Sequence, residues 1–216
     1  MERAEGVPQP KFRNVRTQLQ VSIERRPHTA LYVRDASGLD VVSEGVPPKG
    51  GMMVGSEIEM LSRNLNMENA AQVWLSWWKS IIEWDYMLTP ATSAKERARR
   101  EAEIAGYEAN KDLRPLISRF ADQATWRYNS WEFTQASEAG KQELRSICGR
   151  AFDRISELSS RRTGNLVTCI LSISLLIYDI PWSWSPRLGY LICTTSSISR
   201  NPKALESIIA RSILVA

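Results

Sequence analysis

The chain has few of the residues that most catalytic and metal sites require. Its one histidine, His28, lies between Pro27 and Thr29 without a supporting motif. No HExxH, no G-x-x-x-x-G-K-[ST] and no G-x-G-x-x-G motif occurs, so zinc-protease, P-loop and dinucleotide chemistry are not indicated. We therefore predict that the protein is not an enzyme and that it takes no cofactor, metal ion or small-molecule substrate.

Cysteine is also scarce. The chain has an odd number of cysteines, the three residues Cys148, Cys169 and Cys193, and no C-x-x-C pair. Neither a disulfide framework nor a thiolate metal site is indicated. Cys148 lies on an apolar helical stripe, where a buried free thiol is the usual outcome. The N-terminal residues have no apolar core of the kind that a secretory signal requires, and a reduced, cytoplasmic setting fits.

The chain lacks an apolar run long enough for a transmembrane helix. The longest uncharged apolar stretch, 166–178, falls short of the roughly 20 residues that a spanning helix needs, and Pro181 ends it. Three interpretations stay open for it: a buried helix, an extended packing segment or an interfacial anchor. On the anchor interpretation, Trp182 and Trp184 would form a membrane-interface belt.

Charge is unevenly distributed along a chain of ordinary composition, 43% hydrophobic and 24% charged. Residues 1–34 carry seven Lys/Arg against three Asp/Glu, residues 35–136 eleven against fifteen, and residues 137–216 ten against six. Basic ends suit a polyanion such as nucleic acid, or an anionic surface. Simple solubility explains them equally well.

The first 55 residues read as an N-terminal arm. Proline- and glycine-rich breakers occur at 7–10 and 45–51. Between them, the alternation over 18–23 and the β-prone stretch 30–33 predict one or two short strands, or a hairpin that turns near Asp35–Gly38.

Helical signals follow the arm. Ser56 and Glu59, and then Ser93 and Glu96, are spaced as capping boxes; the second opens a charged helix through about Glu108. Between them, three-to-four spacing of apolar residues predicts a helix from about 68 to 87. It carries four tryptophans, three of which follow the core period. The fourth, Trp78, is the one we expect to contact a partner.

Two apolar stripes at helical spacing predict a pair of core helices between 113 and 160. The stripes are Leu113, Leu116, Ile117, Phe120, Ala124 and Tyr128, then Leu144, Ile147, Cys148, Ala151, Phe152, Ile155 and Leu158. Asp112 is the predicted cap of the first helix, which runs to about Trp131; a loop at 133–136 leads to the second. Gly149, inside that helix, predicts close approach of another backbone or of RNA. A last short helix is predicted from about 202 to 214.

The order of motifs in this stretch resembles the coat-protein core of flexuous filamentous plant viruses. The motifs are Leu113-Arg114, Phe120-Ala121, the aromatic Trp126 and, much later, Ala151-Phe152-Asp153. The likeness is to the potexvirus and carlavirus type, more distantly to the potyvirus type, and covers roughly 56–160. Where that family has an aromatic pair after the aspartate, this chain has Arg154-Ile155.

The resemblance implies a mainly α protein, with a helical-bundle core (56–160) between an extended N-terminal arm (1–55) and a divergent C-terminal segment (161–216). It implies a coat subunit that polymerises as a homo-oligomer around single-stranded RNA, largely without sequence specificity, in the virion and the host cell cytoplasm. The alternative is a membrane-associated viral accessory or movement protein, anchored through 166–184.

The resemblance also implies a site. The matching arginine and aspartate of the family lie together beside the RNA, so Arg114 and Asp153 are predicted to pair at the floor of the RNA groove. Arg119 and Arg150, on the same two helices, complete the predicted RNA-binding residues. Because a charge at the edge of a core is costly when its partner is removed, Asp153→Ala is expected to destabilise the monomer.

Overall fold

A computed structural model describes residues 15–50, 65–87, 92–163 and 167–215. These ranges contain seven helices: α1 (Arg25–Ser37), α2 (Met67–Met87), α3 (Ala94–Glu108), α4 (Arg114–Tyr128), α5 (Trp131–Thr163), α6 (Thr195–Arg200) and α7 (Pro202–Ser212). They also contain five strands: β1 (Val15–Ser22), β2 (Val167–Leu176), β3 (Ser183–Arg187), β4 (Tyr190–Thr194) and β5 (Leu214–Val215). The prediction of a mainly α protein is confirmed.

The strands form one mixed sheet in the order β1-β2-β4-β3, with β5 beside β2. β2 is central and runs parallel to both β1 and β4. The two antiparallel pairs are β3 with β4 and β5 with β2. Strands covered on both faces read as continuous apolar runs rather than as alternating ones. The uncharged stretch 166–178 is therefore an extended packing segment over its described residues, the second of the three interpretations.

Buried side chains fall into two clusters that share the sheet. The first joins α1, α2 and α4 to Leu176, Tyr178 and Ile192. The second joins α5 and α7 to Leu171, Ile173 and other residues of β2 and β4. Gly140 lets α5 lie close to the sheet, because a Cβ at this position would come within 3.1 Å of the side chains of Leu175 and Thr195.

The predicted hairpin near Asp35–Gly38 is wrong, because α1 occupies this part of the chain. Gly38 ends α1 in the left-handed conformation, with φ 74°, and the N–H of Leu39 donates to the carbonyl oxygen of Arg34 at 3.1 Å. This is a glycine C-cap that ends a helix. The β-prone residues 30–33 are buried in the first cluster, and such packing overrides a local β preference. The strand predicted over 18–23 is confirmed by β1.

The described residues on either side of the predicted core are folded onto it. Residues 25–46 contribute Leu31, Val33 and other buried side chains to the first cluster instead of extending as an arm. Residues 167–213 supply the middle of the sheet and the packing of α7. The division of the chain at 55 and 160 stays a prediction about domains.

The helix predictions hold with shifts at the ends. α2, α3 and α7 lie where predicted, and Ser93 caps α3 by accepting a hydrogen bond from the N–H of Glu96 at 3.1 Å. α4 ends at Tyr128 rather than near Trp131, and α5 begins at Trp131 rather than at 137. The reason is Ser130, whose hydroxyl accepts from the N–H of Phe133 at 3.1 Å and opens the new helix there.

Asp112 does not cap α4, because its carboxylate accepts a hydrogen bond from the side-chain amide of Asn69 instead. Trp78 is buried in the first cluster, and its indole N–H donates to the carbonyl oxygen of Gly45 at 2.8 Å, so the expected partner contact is wrong. The helix predicted from Ser56 lies outside the described residues.

Candidate nucleic-acid interface

The four predicted RNA-binding residues lie on two helices that pack into different clusters. Arg114 and Arg119 lie on the exposed side of α4, whose buried side chains belong to the first cluster. Arg150 and Asp153 lie on the exposed side of α5, whose buried side chains here belong to the second. The structure therefore brings together Arg150 and Asp153, but not all four residues.

The predicted ion pair between Arg114 and Asp153 is not formed. Both side chains are exposed, and within the described ranges neither makes an ion pair or a hydrogen bond. The prediction placed both residues at the edge of one shared core. Since α4 and α5 pack into separate clusters, they share no such edge at these positions.

The second half of α5 presents a basic exposed face. Arg145 and Arg154 lie at the two edges of the exposed side of this helix, with Gly149, Asp153 and Arg150 between them, and all five are exposed. No protein atom from elsewhere in the described chain lies within 4 Å of a Cβ built at Gly149. The backbone that Gly149 was predicted to approach is therefore absent from the described part of the chain, and the helix surface here is open.

α7 extends this face across a second helix. Arg150 Nε donates to Glu206 Oε2 at 2.9 Å, which ties the exposed side of α5 to α7. Lys203 and Arg211, two turns apart on α7, are exposed. We call these five cations the α5–α7 basic face: Arg145, Arg150, Arg154, Lys203 and Arg211. Such a cluster neutralises phosphates and releases their counterions.

A groove lies beside the first half of α5. It consists of a cavity of about 370 Å³ that Trp126, Arg127 and Phe133 line, and one of about 270 Å³ that Ser196 and Arg200 line. Ala136 and Asp179 line both cavities, so the two adjoin each other. We call this surface the α5 groove. Glu143 and Arg200 line its second cavity; along the chain they come two and three residues before Arg145 and Lys203 of the α5–α7 basic face.

Two tryptophans at the α4–α5 corner are exposed, Trp126 by 76% and Trp131 by 70%. An exposed indole face stacks on a nucleobase with little regard to sequence. Sequence reasoning considered only the tryptophans of α2, of which Trp74, Trp77 and Trp78 are buried, and missed these two. A signal was present: Trp126 is two residues past Ala124 and therefore off the apolar stripe of its helix.

His28 fixes the end of β2 next to the groove. Its Nε2 accepts a hydrogen bond from the backbone N–H of Ile177 at 2.9 Å, and its Nδ1 lies 2.7 Å from the carbonyl oxygen of Glu24. Burial lowers the pKa of His28 to about 4. Since a carbonyl only accepts, the proton lies on Nδ1 and the ring is neutral. His28 is a structural residue, and no motif in the sequence indicated that role.

A buried polar network holds Tyr178, the residue after Ile177. Arg34 donates to the Asp35 carboxylate at 2.8 Å, to the carbonyl oxygen of Pro47 at 2.6 Å and to the hydroxyl of Tyr178 at 2.5 Å. The Tyr178 hydroxyl in turn donates to Asp35 Oδ2 at 2.8 Å. The Arg34 side chain is fully buried, and a buried charge requires this degree of pairing. His28 thus holds the backbone of Ile177, and the network of Arg34 and Asp35 holds the side chain of Tyr178.

The described residues offer neither a metal site nor a reactive thiol. The described residues contain no group of three or more His, Cys, Asp or Glu side chains arranged to hold a metal ion. The three cysteines are free and buried. Burial raises the pKa of Cys148 to about 12 and raises that of Cys193 further, so neither thiol ionises near neutral pH.

No protein-family model, curated protein or solved structure matches this chain. In the described ranges, no helix combines the length and the apolarity needed to cross a membrane.

Proposed function

We propose that this protein binds single-stranded RNA through phosphate contacts on the α5–α7 basic face, as a repeating subunit of a helical viral coat. The observation that carries the proposal is the open, exposed cluster of five cations on two packed helices. The exposed carboxylates Asp153 and Glu157 interrupt it on α5, and Glu206 of α7 is bonded to Arg150. The absence of base-reading motifs from the sequence favours binding that is largely independent of nucleotide sequence.

The polymeric part of the proposal rests on the resemblance of residues 56–160 to the coat proteins of flexuous filamentous plant viruses. Of the two residues that the resemblance singles out, Asp153 lies beside the basic face and Arg114 lies on another helix; the predicted residue Arg150 lies on the face. Subunits that contact head to tail without closing form an open helix rather than a ring. The virion and the host cell cytoplasm are the corresponding locations.

Electron microscopy of the purified full-length protein, with and without single-stranded RNA, tests this proposal. We expect flexuous filaments that require RNA and dissolve at high salt, because the phosphate contacts weaken as salt increases. The matched variant is Arg154→Gln with Lys203→Gln, which removes two cations of the face from exposed positions. Particles that stay monomeric with RNA at low salt would contradict the coat-protein proposal.

The membrane-anchored alternative has less support. The apolar side chains offered as its anchor, such as Leu171, Ile173 and Leu175, are buried between the sheet and α5. Trp182 and Trp184 are half-buried against the first cluster. Liposome flotation of the full-length protein checks the alternative, which predicts that the protein floats with the vesicles and that changes within 166–184 abolish this.

A further inference from the structure

Asp179 stands at the junction of the two cavities of the α5 groove. Its side chain is exposed, and its carboxylate makes no hydrogen bond or ion pair within the described part of the chain. An ionised carboxylate is an acceptor only. A ligand that fills both cavities therefore meets the Asp179 carboxylate, which is available to accept a hydrogen bond.

The position of Asp179 is fixed by the two residues before it. The N–H of Ile177 donates to His28 at 2.9 Å, and the hydroxyl of Tyr178 lies in the buried network with Arg34 and Asp35. The N–H of Tyr178 also donates to the hydroxyl of Thr195, at 3.2 Å. Thr195 itself lines the second cavity. Such support keeps a recognition group in one place before its ligand arrives.

The remaining lining suits a nucleotide strand. Trp126 offers an indole face in the first cavity, and a cation lines each cavity, Arg127 in the first and Arg200 in the second. Ser196 also lines the second cavity, and its hydroxyl, which is buried, has no hydrogen-bond partner in the described chain.

The carboxylates of the groove restrict what part of a nucleotide can face them. Glu132 lines the first cavity, Glu143 the second and Asp179 both. A phosphate beside a carboxylate is repelled, so the ligand must present hydrogen-bond donors there. The ribose 2′-hydroxyl is a donor that every nucleotide of RNA carries and DNA lacks.

We propose that Asp179 accepts a hydrogen bond from a ribose 2′-hydroxyl and so makes this protein prefer RNA to DNA. The inference rests on the proposed function, since it assumes that the strand on the α5–α7 basic face continues into the α5 groove. There a base stacks on Trp126, and the arginines at either end contact phosphates.

Oligouridylate and oligodeoxyuridylate of equal length test the inference, because they differ only in the 2′-hydroxyl. Fluorescence anisotropy of the full-length protein at low salt gives both dissociation constants. We expect a preference for the ribose form on the order of tenfold, as for a hydrogen bond to a charged acceptor. Asp179→Ala should reduce this preference to near one, and Asp179→Asn should leave part of it.

The control is Asp40→Ala, which removes an exposed aspartate that lines neither cavity and should leave the preference unchanged. If Asp179→Ala binds both strands with the preference of the wild type, the inference is wrong and the proposed function stands. If it instead changes the ranking of adenylate against uridylate equally in RNA and DNA, Asp179 contacts a base, and the assignment to ribose is wrong. Absence of binding to either strand by the wild type would overturn the proposed function and this inference with it.

Discussion

The imidazole of His28 and the backbone of Ile177 are 149 positions apart in the sequence and are joined by a hydrogen bond of 2.9 Å. The ring accepts this bond through Nε2, so the bond exists only while Nε2 carries no proton. Phe133 and Tyr128 pack edge-on against the same ring, with centroids 5.0 and 5.9 Å away. Protonation of His28 would therefore place a charge among apolar groups and remove the acceptor of Ile177.

His28 should make the protein less stable in mild acid. Burial lowers its pKa from 6.5 to about 4 in the folded state. Between about pH 6.5 and 4 the unfolded chain binds more protons than the folded protein does. Lowering the pH therefore lowers the free energy of the unfolded state relative to the folded state. The contribution of His28 is complete above about pH 6.5 and is lost as pH falls towards 4, a change of about 3 kcal/mol. Urea unfolding at a series of pH values measures it.

The control is His28→Gln, whose amide oxygen can take the place of Nε2 as a neutral acceptor for Ile177 but does not titrate. We expect this variant to be less stable than the wild type at pH 7 and to lose less stability between pH 6.5 and 4. Identical pH dependence in the two proteins would show that His28 is not the group responsible.

Arg34→Met should destabilise the protein by about 3–5 kcal/mol, because it leaves the buried carboxylate of Asp35 without its cation. Tyr178→Phe should cost less, about 1–2 kcal/mol, since it removes one hydroxyl but leaves the ion pair of Arg34 and Asp35. Chemical denaturation of both variants at pH 7 gives the two values. The account of this network is contradicted if Tyr178→Phe costs more than Arg34→Met.

Asp153→Ala should leave the stability of the monomer within about 0.5 kcal/mol of the wild type, as for exposed substitutions in general. This reverses what the sequence alone predicts, because the pair with Arg114 is not formed. The same change removes a negative charge from beside the α5–α7 basic face, so RNA binding should strengthen slightly. Thermal unfolding and anisotropy titration check the two effects, and a large loss of stability would revive the pairing.

Local signals in the sequence were sufficient for most of the helices. The N-cap of α3 at Ser93 and the apolar period of α2 depend on neighbours within one or two turns, and both are confirmed. α1 was missed because its residues have weak helical periodicity. It forms because Leu31 and Val33 are buried against α2 and α4, which the sequence does not bring near.

The sheet and the site were harder to predict for the same reason. β2 pairs with strands that begin 152 residues before it and 23 after it, and an apolar run without alternation fits a helix equally well. Of the cations of α5, only Arg150 was predicted from the sequence as an RNA-binding residue. Lys203 and Arg211 were not, since only the packing of α7 on α5 brings them to the same face.

The central claim, that the α5–α7 basic face binds RNA phosphates, is tested most directly by the salt dependence of binding to oligouridylate. The comparison is between wild type, Arg154→Gln with Lys203→Gln, and the control Lys79→Gln with Lys111→Gln, which removes two exposed cations from outside the face. We predict that the face variant reduces the slope of log K against log salt by about 1.4, or 0.7 for each lost phosphate contact. The control should keep the wild-type slope. Equal slopes in all three proteins, or a flat dependence in the wild type, would contradict the account.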